Sequence, residues 1–428
     1  MSTLLEDTSL GLGYEHGITD ARIRLGWYAA IAGLLLVGAY AMYLRVTGGM
    51  ATTNMNSVTP WGAWVAFYIY FVGLSAGAFL VSTLSNVFGM AGMHEIDRDA
   101  LLAAIIAMVV ALLFVWTDLG RMDRLFNVFL HRQLTSPLSW EVHAYVAYIL
   151  VLSVELYFAM RADLVRVARR ATGIRARLAS VLTFGHRSLS DAALDADRRW
   201  LKRFGIVGIP LAIFFVHGGT GVLFAVSKAR PYWNSGLFPI IFVISAVVSG
   251  TALVMAVYVL RRRFFDDRPV DPNLLDRLAQ LLVAFILTDV AFTAIDALIA
   301  LTTLERLHVG TWLLVSTGEM SWSFWGVMVA LGWVLPAALA SRRAWRRTPW
   351  LMVVAGISVV IGIVGVRFNI VVPPLILPVL EGLPHGNYVP TLVEWGTSAG
   401  IIGLGLLLYT LGAELLPLTP LDTDGDHA

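Results

Sequence analysis

The chain lacks cysteine and carries little charge for its length. None of its 428 residues is cysteine, and only 14% are Asp, Glu, Lys or Arg. Without thiolates the chain cannot hold an iron–sulfur cluster through its own cysteines, form a disulfide or build a thiolate zinc site. The formal net charge of +2 is too small to indicate nucleic-acid binding. We therefore predict no metal site and no nucleic-acid partner, and any electron chemistry needs a diffusible cofactor or a second protein.

Apolar residues dominate the composition instead. They make up 58% of the chain, which is more than a water-soluble domain of this size tolerates. A membrane-spanning helix needs about 20 mostly apolar residues, and apolar segments of that length are too long for strands. The sequence predicts an all-α, multi-pass bundle in the lipid bilayer of the cytoplasmic membrane, with ten spans at 25–46, 60–88, 98–118, 137–160, 202–226, 234–260, 275–303, 319–341, 349–367 and 390–416.

Arginine-rich connections predict the orientation of the bundle. The connections 161–203, 261–268 and 342–347 are basic, and the positive-inside rule places them in the cytoplasm together with both termini. The N-terminal residues lack a basic region and a cleavage site of the signal-peptide kind, so we expect the first span to be retained. The predicted segments are a cytoplasmic N-terminal segment, spans 1–4, a basic cytoplasmic loop, spans 5–10 and an acidic tail, at 1–24, 25–160, 161–203, 204–416 and 417–428.

Ionisable groups inside membrane spans are costly and are usually paired or functional. In this chain several of them fall at the predicted outer ends of spans 3, 4 and 5, and aromatic residues one turn apart enter span 2 from the same side. These spans therefore aim polar and aromatic groups at one outer-side volume. The residues concerned are Trp64, Tyr68, Asp118, Glu141, His143, Tyr145 and His217.

A quinone is a ligand that such a volume suits. It needs a flat apolar slot and a hydrogen-bonding group at each carbonyl oxygen, one of them able to exchange a proton. Histidine and a partly buried carboxylate can do this near neutral pH. Glu141 and Tyr145 share one face of span 4, whereas His143 lies on another. A structural interpretation stays open, with the aromatic residues as an interfacial belt and Asp118 paired with Arg121 at a helix end.

Acidic residues also occur in the second half of the chain. Asp289 and Asp296 share one face of span 7, and Arg367 ends span 9. Glu319 and Glu394 begin spans 8 and 10. Two interpretations remain open for this set: a buried route for protons, or a paired structural network.

Six short stretches resemble the NrfD/polysulfide-reductase (PsrC-like) membrane-subunit family, especially its ten-span members of the HybB and DsrP type. They are PWGAWVAFYIYFVGLSAGAF (60–79), WTDLGR (116–121), SPLSWE (136–141), HGGTGVLFAVSKARPYWNS (217–235), GEMSWSFWG (318–326) and YVPTLVEW (388–395). The resemblance implies a menaquinone or ubiquinone bound near the outer face within spans 1–4, with no haem or iron–sulfur cluster in this chain. It also implies electron transfer with an extracytoplasmic, ferredoxin-like four-cluster iron–sulfur subunit that serves a molybdopterin or other catalytic subunit.

Residue by residue, the resemblance is partial. Asp118 matches the acidic residue that closes the helix after the GLSAG span, whereas Trp64 and Tyr68 stand where some relatives have Asn and His. Tyr68, His143 or His217 is then the donor to a quinone carbonyl. We expect Asp118 and His143 to handle protons in quinol oxidation, and the quinone to contact Trp64, Tyr68, Asp118, Arg121, Glu141, His143, Tyr145 and His217. The outer-loop residues Arg121, Arg124, His131 and Arg132 are expected to form a docking surface for the partner.

Two other classes of protein remain as alternatives. A haem-b quinol dehydrogenase subunit needs paired histidines within spans, and His143 and His217 supply one pair at most. A secondary transporter needs helices interrupted near mid-membrane in both halves, for which Gly205, Gly208 and Pro210 in span 5 offer one match.

Overall fold

A computed structural model describes residues 18, 20–90, 92–133, 135–266 and 268–421. Within these residues the regular structure is helical and contains no strand. Most of the predicted N-terminal segment 1–24 and of the acidic tail 417–428 lies outside the described residues.

Ten helices are long and apolar enough to cross a membrane, which confirms the predicted number of spans. Span 2 is the most enclosed, with 89% of its most apolar window buried inside the protein, so it forms the centre of the bundle. Spans 1 to 10 are Ala21–Thr52, Ala63–Asn86, Asp97–Asp118, Pro137–Arg170, Asp191–Ala225, Phe238–Phe264, Pro272–Thr303, Trp322–Leu339, Pro349–Ile376 and Leu392–Leu415.

Spans 4 and 5 are longer than the sequence predicts. Span 4 continues to Arg170, a further helix covers Gly173–Leu182, and span 5 already begins at Asp191. The segment 161–203, predicted as a loop, is therefore largely helical. A hydropathy count predicts a loop here because the segment is rich in charged residues, but some of these residues form ion pairs. Arg161 Nη2 lies 2.6 Å from Asp197 Oδ2, and both side chains are mostly buried.

Two spans contain π-helical segments. In span 5 the segment Leu211–His217 follows Pro210, which cannot donate a backbone hydrogen bond to the preceding turn. In span 8 the segment is Trp322–Val334. The backbone in both places is widened but not unwound, and such segments often occur at functional sites. Pro210 signalled the first of them in the sequence.

Glycines allow span 2 to approach span 6 closely. A Cβ atom at Gly77 would meet the backbone of Ala246 and Gly250, and one at Gly250 would meet the backbone of Gly77. Gly77 of the GLSAG motif and Gly250 thus allow the two helices to pack backbone against backbone, as small residues do in membrane helices. Gly73 serves a different purpose, described below.

Ion pairs join several spans at one end of the bundle, which we call the Arg261 end. Arg261 Nε lies 2.7 Å from Asp99 Oδ2, and its Nη1 lies 2.7 Å from Asp266 Oδ2. Tyr409 donates to Asp99 Oδ1 at 3.0 Å. The opposite end, where span 3 finishes at Asp118, is called the Asp118 end. That the Asp118 end faces the outside stays a prediction from the arginine-rich connections.

Candidate functional site

Four side chains from spans 2, 4 and 5 meet near the Asp118 end, and we call them the Glu141 cluster. The Tyr68 hydroxyl donates to Glu141 Oε1 at 2.7 Å and lies 2.9 Å from the Tyr145 hydroxyl. Tyr145 also hydrogen-bonds Glu141 Oε1 and lies 2.9 Å from Thr220 Oγ1. All four side chains are buried. The cluster thus links three spans through hydroxyl groups and one carboxylate.

Local sequence explains why Glu141 and Tyr145 act together. Span 4 begins at Pro137, whose fixed φ and missing N–H suit the first turn of a helix. Glu141 then lies one turn inside, and Tyr145 follows four residues later on the same face. Span 5 supplies Thr220 just after its π segment.

The second oxygen of Glu141 is the unusual atom of this cluster. Both tyrosine hydroxyls bind Oε1, whereas Oε2 is buried and has no hydrogen-bond partner in the part of the chain that the structure describes. Leaving a buried acceptor without a donor costs about 1–3 kcal/mol, and more when it is charged. A ligand hydroxyl that donates to Oε2 would remove that cost.

Aromatic rings lie between this cluster and the Asp118 end. Trp61, two turns before Tyr68, packs its ring 5.5 Å from the rings of Phe224 and Trp233. Phe224 follows Thr220 by one turn of span 5. Flat aromatic surfaces thus lie at the ends of spans 2 and 5, the two spans that contribute Tyr68 and Thr220 to the Glu141 cluster, as binding of a ring with hydroxyl groups requires.

Asp118 belongs to a different group, the Asp118 cluster, which contains Arg45, Trp64, Asp118 and Glu394. Arg45 interacts electrostatically with Asp118. Its guanidinium also donates to the backbone oxygens of Thr117 at 3.2 Å and of Leu119 at 2.8 Å, so it closes the end of span 3. Asp118 Oδ1 is buried and, among the described residues, lacks a hydrogen-bond partner.

Trp64 and Glu394 complete the Asp118 cluster from spans 2 and 10. The Trp64 ring stands 5.4 Å from the Arg45 guanidinium, and its Nε1 donates to Thr397 at 2.9 Å. Glu394 accepts from the Tyr388 hydroxyl and from the Thr391 amide at 2.9 Å. Burial and then the hydrogen bond to Glu394 raise the pKa of Tyr388, which precedes span 10. Tyr388 is therefore a neutral donor that holds Glu394 in place.

An apolar cleft borders the Asp118 cluster between spans 1, 3 and 10. Its lining includes Met42, Trp116, Thr117 and Thr397. Thr117 and Thr397 are also partners of Arg45 and Trp64. The cleft therefore gives this second carboxylate an approach from the lipid side.

His217 lies in a third group, with charged residues of the second half. Its Nε2 is 3.2 Å from Arg367 Nη2, which also donates to Ser245 Oγ at 2.6 Å. A guanidinium has only donors, so His217 Nε2 is the acceptor. A Cβ at Gly73 would come within 3.2 Å of both side chains. The glycine of the GLSAG motif thus makes room for the pair.

Arg367 connects this third group to span 7. It interacts electrostatically with Asp289, and Asp289 Oδ2 accepts from Trp333 Nε1 at 3.1 Å. Trp333 lies in the π segment of span 8. Asp289 therefore has an indole donor and an electrostatic interaction with Arg367.

The remaining two predicted site residues lie elsewhere. His143 Nδ1 is 2.7 Å from the Ser139 oxygen, and its ring packs 5.0 Å from that of Phe129, so it points away from Glu141. Arg121 hydrogen-bonds Asp123 at 3.0 and 2.9 Å on the exposed surface. The alternative of an Asp118–Arg121 ion pair is wrong, because Arg45 is the arginine beside Asp118.

Sequence reasoning missed Arg45 and Thr220. An arginine that falls within the predicted first span was the available signal for Arg45, since such residues are rarely unpaired. Thr220 lies in the HGGTG stretch, from which the sequence pattern predicted only His217 as a site residue. Among the described residues no three His, Asp or Glu side chains converge as a metal site.

Comparison with known proteins agrees with this architecture. The family model described as "Polysulphide reductase, NrfD" matches residues 51–378. A selenate reductase subunit of Mesobacillus selenatarsenatis is 36% identical over 405 residues, covering 92% of this chain and 94% of the relative. The Hdr-like menaquinol oxidoreductase integral membrane subunit of Archaeoglobus fulgidus is 25% identical, covering 91% and 92%. The menaquinone reductase integral membrane subunit of Nitratidesulfovibrio vulgaris is 24% identical, covering 93% and 92%. With a family match over most of its length, this multi-pass membrane chain belongs to the polysulphide reductase NrfD family.

Proposed function

We propose that this chain is the quinone-binding membrane subunit of a respiratory oxidoreductase complex, with the Glu141 cluster as the proton acceptor for quinol. The observation that carries the proposal is the buried, unpartnered Oε2 of Glu141 next to two tyrosine hydroxyls. Two relatives support it, because their names carry menaquinol or menaquinone. Menaquinone or ubiquinone is the proposed substrate.

The residues of the cluster fit a quinol in the following way. Tyr68 and Tyr145 hold Oε1 of Glu141, which fixes the carboxylate plane and leaves Oε2 to accept a quinol hydroxyl. A base within hydrogen-bond reach of the proton it removes is the first requirement of general base catalysis. The Tyr145 hydroxyl also lies 2.9 Å from Thr220 Oγ1, which donates to the backbone oxygen of Val216 in span 5. Thr220 thereby fixes the position of the hydroxyl network against span 5.

The electrons leave the quinol for a partner protein, because this chain has no cysteine with which to bind a cluster. Oxidation of one quinol gives one quinone, two protons and two electrons, and the electrons pass to an extracytoplasmic, ferredoxin-like four-cluster iron–sulfur subunit. A molybdopterin or other catalytic subunit would use them. Arg124 and Arg132, with exposed Phe126 and Leu130 between them, form the proposed docking surface together with Arg121 and His131.

Substitution of Glu141 tests the proposal. Glu141→Gln keeps the size of the side chain but removes its basicity, so quinol oxidation by the purified complex should fall about 10²–10⁴-fold, the usual contribution of a general base. Glu155→Gln is the matched control. Glu155 is a buried glutamate of the same span that also has an unpartnered Oε2 among the described residues, but it lies toward the other end of span 4 beside Asn86.

The two variants together separate chemistry from stability. Normal assembly of both, with turnover lost only in Glu141→Gln, is the expected result. Full turnover in Glu141→Gln would refute the role of the Glu141 cluster. An equal loss of turnover in both variants would mean that the loss follows from replacing a buried carboxylate of span 4, and not from a specific role of Glu141.

The two alternative functions predict different measurements. A haem-b subunit would give a Soret band in the visible spectrum of the purified chain. His217, one of the two candidate haem ligands, already contacts Arg367 and Phe242. A transporter would move its substrate in proteoliposomes without a redox partner. We expect neither signal.

A further inference from the structure

The second half of the bundle contains a cavity that the proposed quinol chemistry does not use. It lies between spans 6 to 9 near the Asp118 end. Aromatic and aliphatic side chains form most of its wall, and Asp296, Thr293, Asn369 and Tyr232 are the residues with polar atoms among its lining, besides Trp312. A wall of this mixed kind binds a polar occupant at a few defined atoms.

Polar atoms around this cavity lack partners. Asp296 Oδ1 and Asn369 Oδ1 are buried without a hydrogen bond from any described residue, and both residues are only 3% exposed. The amide nitrogen of Asn369, by contrast, donates to Met328 Sδ at 3.9 Å. Two acceptors in one cavity that both need a donor indicate an occupant that donates hydrogen bonds.

The size of the cavity limits that occupant. The enclosed space is about 40 Å³, and one buried water needs roughly 10–15 Å³ of such space. A few water molecules therefore fit, whereas a quinone ring does not. Water can also donate to both oxygens at once, which a single hydroxyl cannot.

The neighbours of Asp296 leave its carboxylate available. Trp312 Nε1 donates to Oδ2 at 3.3 Å, and His308 Nε2 lies 3.6 Å from the same atom. Tyr232, which precedes span 6, also interacts electrostatically with Asp296. Asp289 lies two turns earlier on span 7.

The nearest arginine on span 9 does not compensate Asp296. Arg367 is bound to Ser245 and His217, and its electrostatic partner is Asp289. Of the ionisable groups that the structure brings to Asp296, His308 and Tyr232 are therefore the ones that adjoin it directly. Asp289, by contrast, has both a cationic partner and an indole donor.

We infer that this cavity is a hydrated site, in which ordered water molecules bridge Asp296 and Asn369. The site is separate from the Glu141 cluster and does not depend on quinol binding. Ordered water satisfies buried acceptors of this kind and makes about three hydrogen bonds per molecule. The two aspartates of span 7 thus have different surroundings: Asp289 interacts electrostatically with Arg367, whereas Asp296 faces the proposed water.

Radiolytic hydroxyl labelling of the full complex in nanodiscs tests the hydration. Water held inside a protein is split locally and labels the side chains beside it. Met328 lines the cavity, whereas Met255 and Met352 are fully buried in apolar surroundings. We expect Met328 to be labelled roughly tenfold faster than either control, since only it adjoins a polar cavity able to hold water. Labelling of Met328 at the control rate would overturn the proposal.

Substitution of Asn369 tests the same site. Asn369→Leu removes one of the two proposed water partners, so it should lower the labelling of Met328 toward the control rate. Unchanged labelling in Asn369→Leu would refute the bridging water. Glu141→Gln should not change the labelling, so failure of the quinol proposal leaves this one standing.

Discussion

The Glu141 and Asp118 clusters lie at the same end of the bundle, both contact span 2, and each contains a buried carboxylate with one unpartnered oxygen. Their surroundings differ. Glu141 is held by neutral hydroxyls, whereas Asp118 stands beside Arg45, which also closes span 3. A carboxylate among hydroxyls can take a proton without losing an interaction with a cation, whereas protonation of Asp118 would remove its electrostatic interaction with the buried Arg45. We therefore expect Glu141 to be reactive and Asp118 to be structural.

The largest expected effect separates the two carboxylates directly. Glu141→Gln should lower quinol oxidation about 10²–10⁴-fold, and Asp118→Asn should lower it less than about tenfold, because we expect the charge of Asp118 to serve its electrostatic interaction with Arg45. Steady-state turnover of the purified complex with a soluble quinol measures both. The opposite ranking would favour Asp118 as the proton acceptor, reached through the apolar cleft of spans 1, 3 and 10.

Loss of Arg45 should affect stability rather than chemistry. Arg45→Met removes the cation that interacts electrostatically with Asp118 and frees the backbone oxygens of Thr117 and Leu119, and each buried acceptor left without its donor costs about 1–3 kcal/mol. Thermal unfolding in detergent should shift to lower temperature. The double variant Arg45→Met with Asp118→Leu removes both charges and should recover part of the loss; no recovery would argue against the pairing.

The tyrosines that hold Glu141 should have intermediate effects. A hydrogen bond to a charged group contributes about 1.5–3 kcal/mol, so Tyr68→Phe and Tyr145→Phe should each lower turnover about 10-fold or more. Because both bind the same oxygen, the double variant should lose less than the product of the two. Tyr148→Phe is the control, since its hydroxyl contacts the backbone of Ser75 at 3.2 Å. If the loss of turnover in the double variant equals the product of the two single losses, the tyrosines act independently.

The smallest effect concerns the docking surface at the Asp118 end. Replacement of Arg124 and Arg132 by Glu should weaken association with the iron–sulfur partner by about 1 kcal/mol per residue, as for charges at the rim of an interface, mainly through the association rate. The loss should shrink as salt is added. Surface-binding kinetics at two ionic strengths measure it. Arg198→Glu at the opposite end of span 5 is the control, because its side chain is also exposed there.

The fold followed from the sequence because length and hydropathy decide it. Ten apolar segments leave helices as the available structure, and span bounds such as 98–118 agree with Asp97–Asp118 to within a residue. The start of span 5 was not predicted as well, because five of its first ten residues are charged. Ion pairs such as Arg161–Asp197 stabilise this part of the helix, and a hydropathy count does not detect them. A count of apolar residues also does not predict the π-helical segment after Pro210.

The candidate site followed only in part, because periodicity gives the face of a helix but not its neighbour. Glu141 and Tyr145 share a face, and they do meet. Trp64 and Tyr68 are one turn apart, yet they contact different spans, since the side chains of a central helix diverge to all sides. Arg45 pairs with a residue 73 positions later, and no local pattern announces a contact over that distance.

Span 2 touches all three polar groups within ten residues, through Trp64, Tyr68 and Gly73. A turn or slide of this one helix would therefore change the Arg45 contact, the hydroxyl network and the space for His217 at the same time. It also has the most enclosed surface of the ten spans, so it cannot move without disturbing its neighbours. A ligand at the Glu141 cluster that displaced span 2 would therefore also change the space that Gly73 leaves for His217 and Arg367.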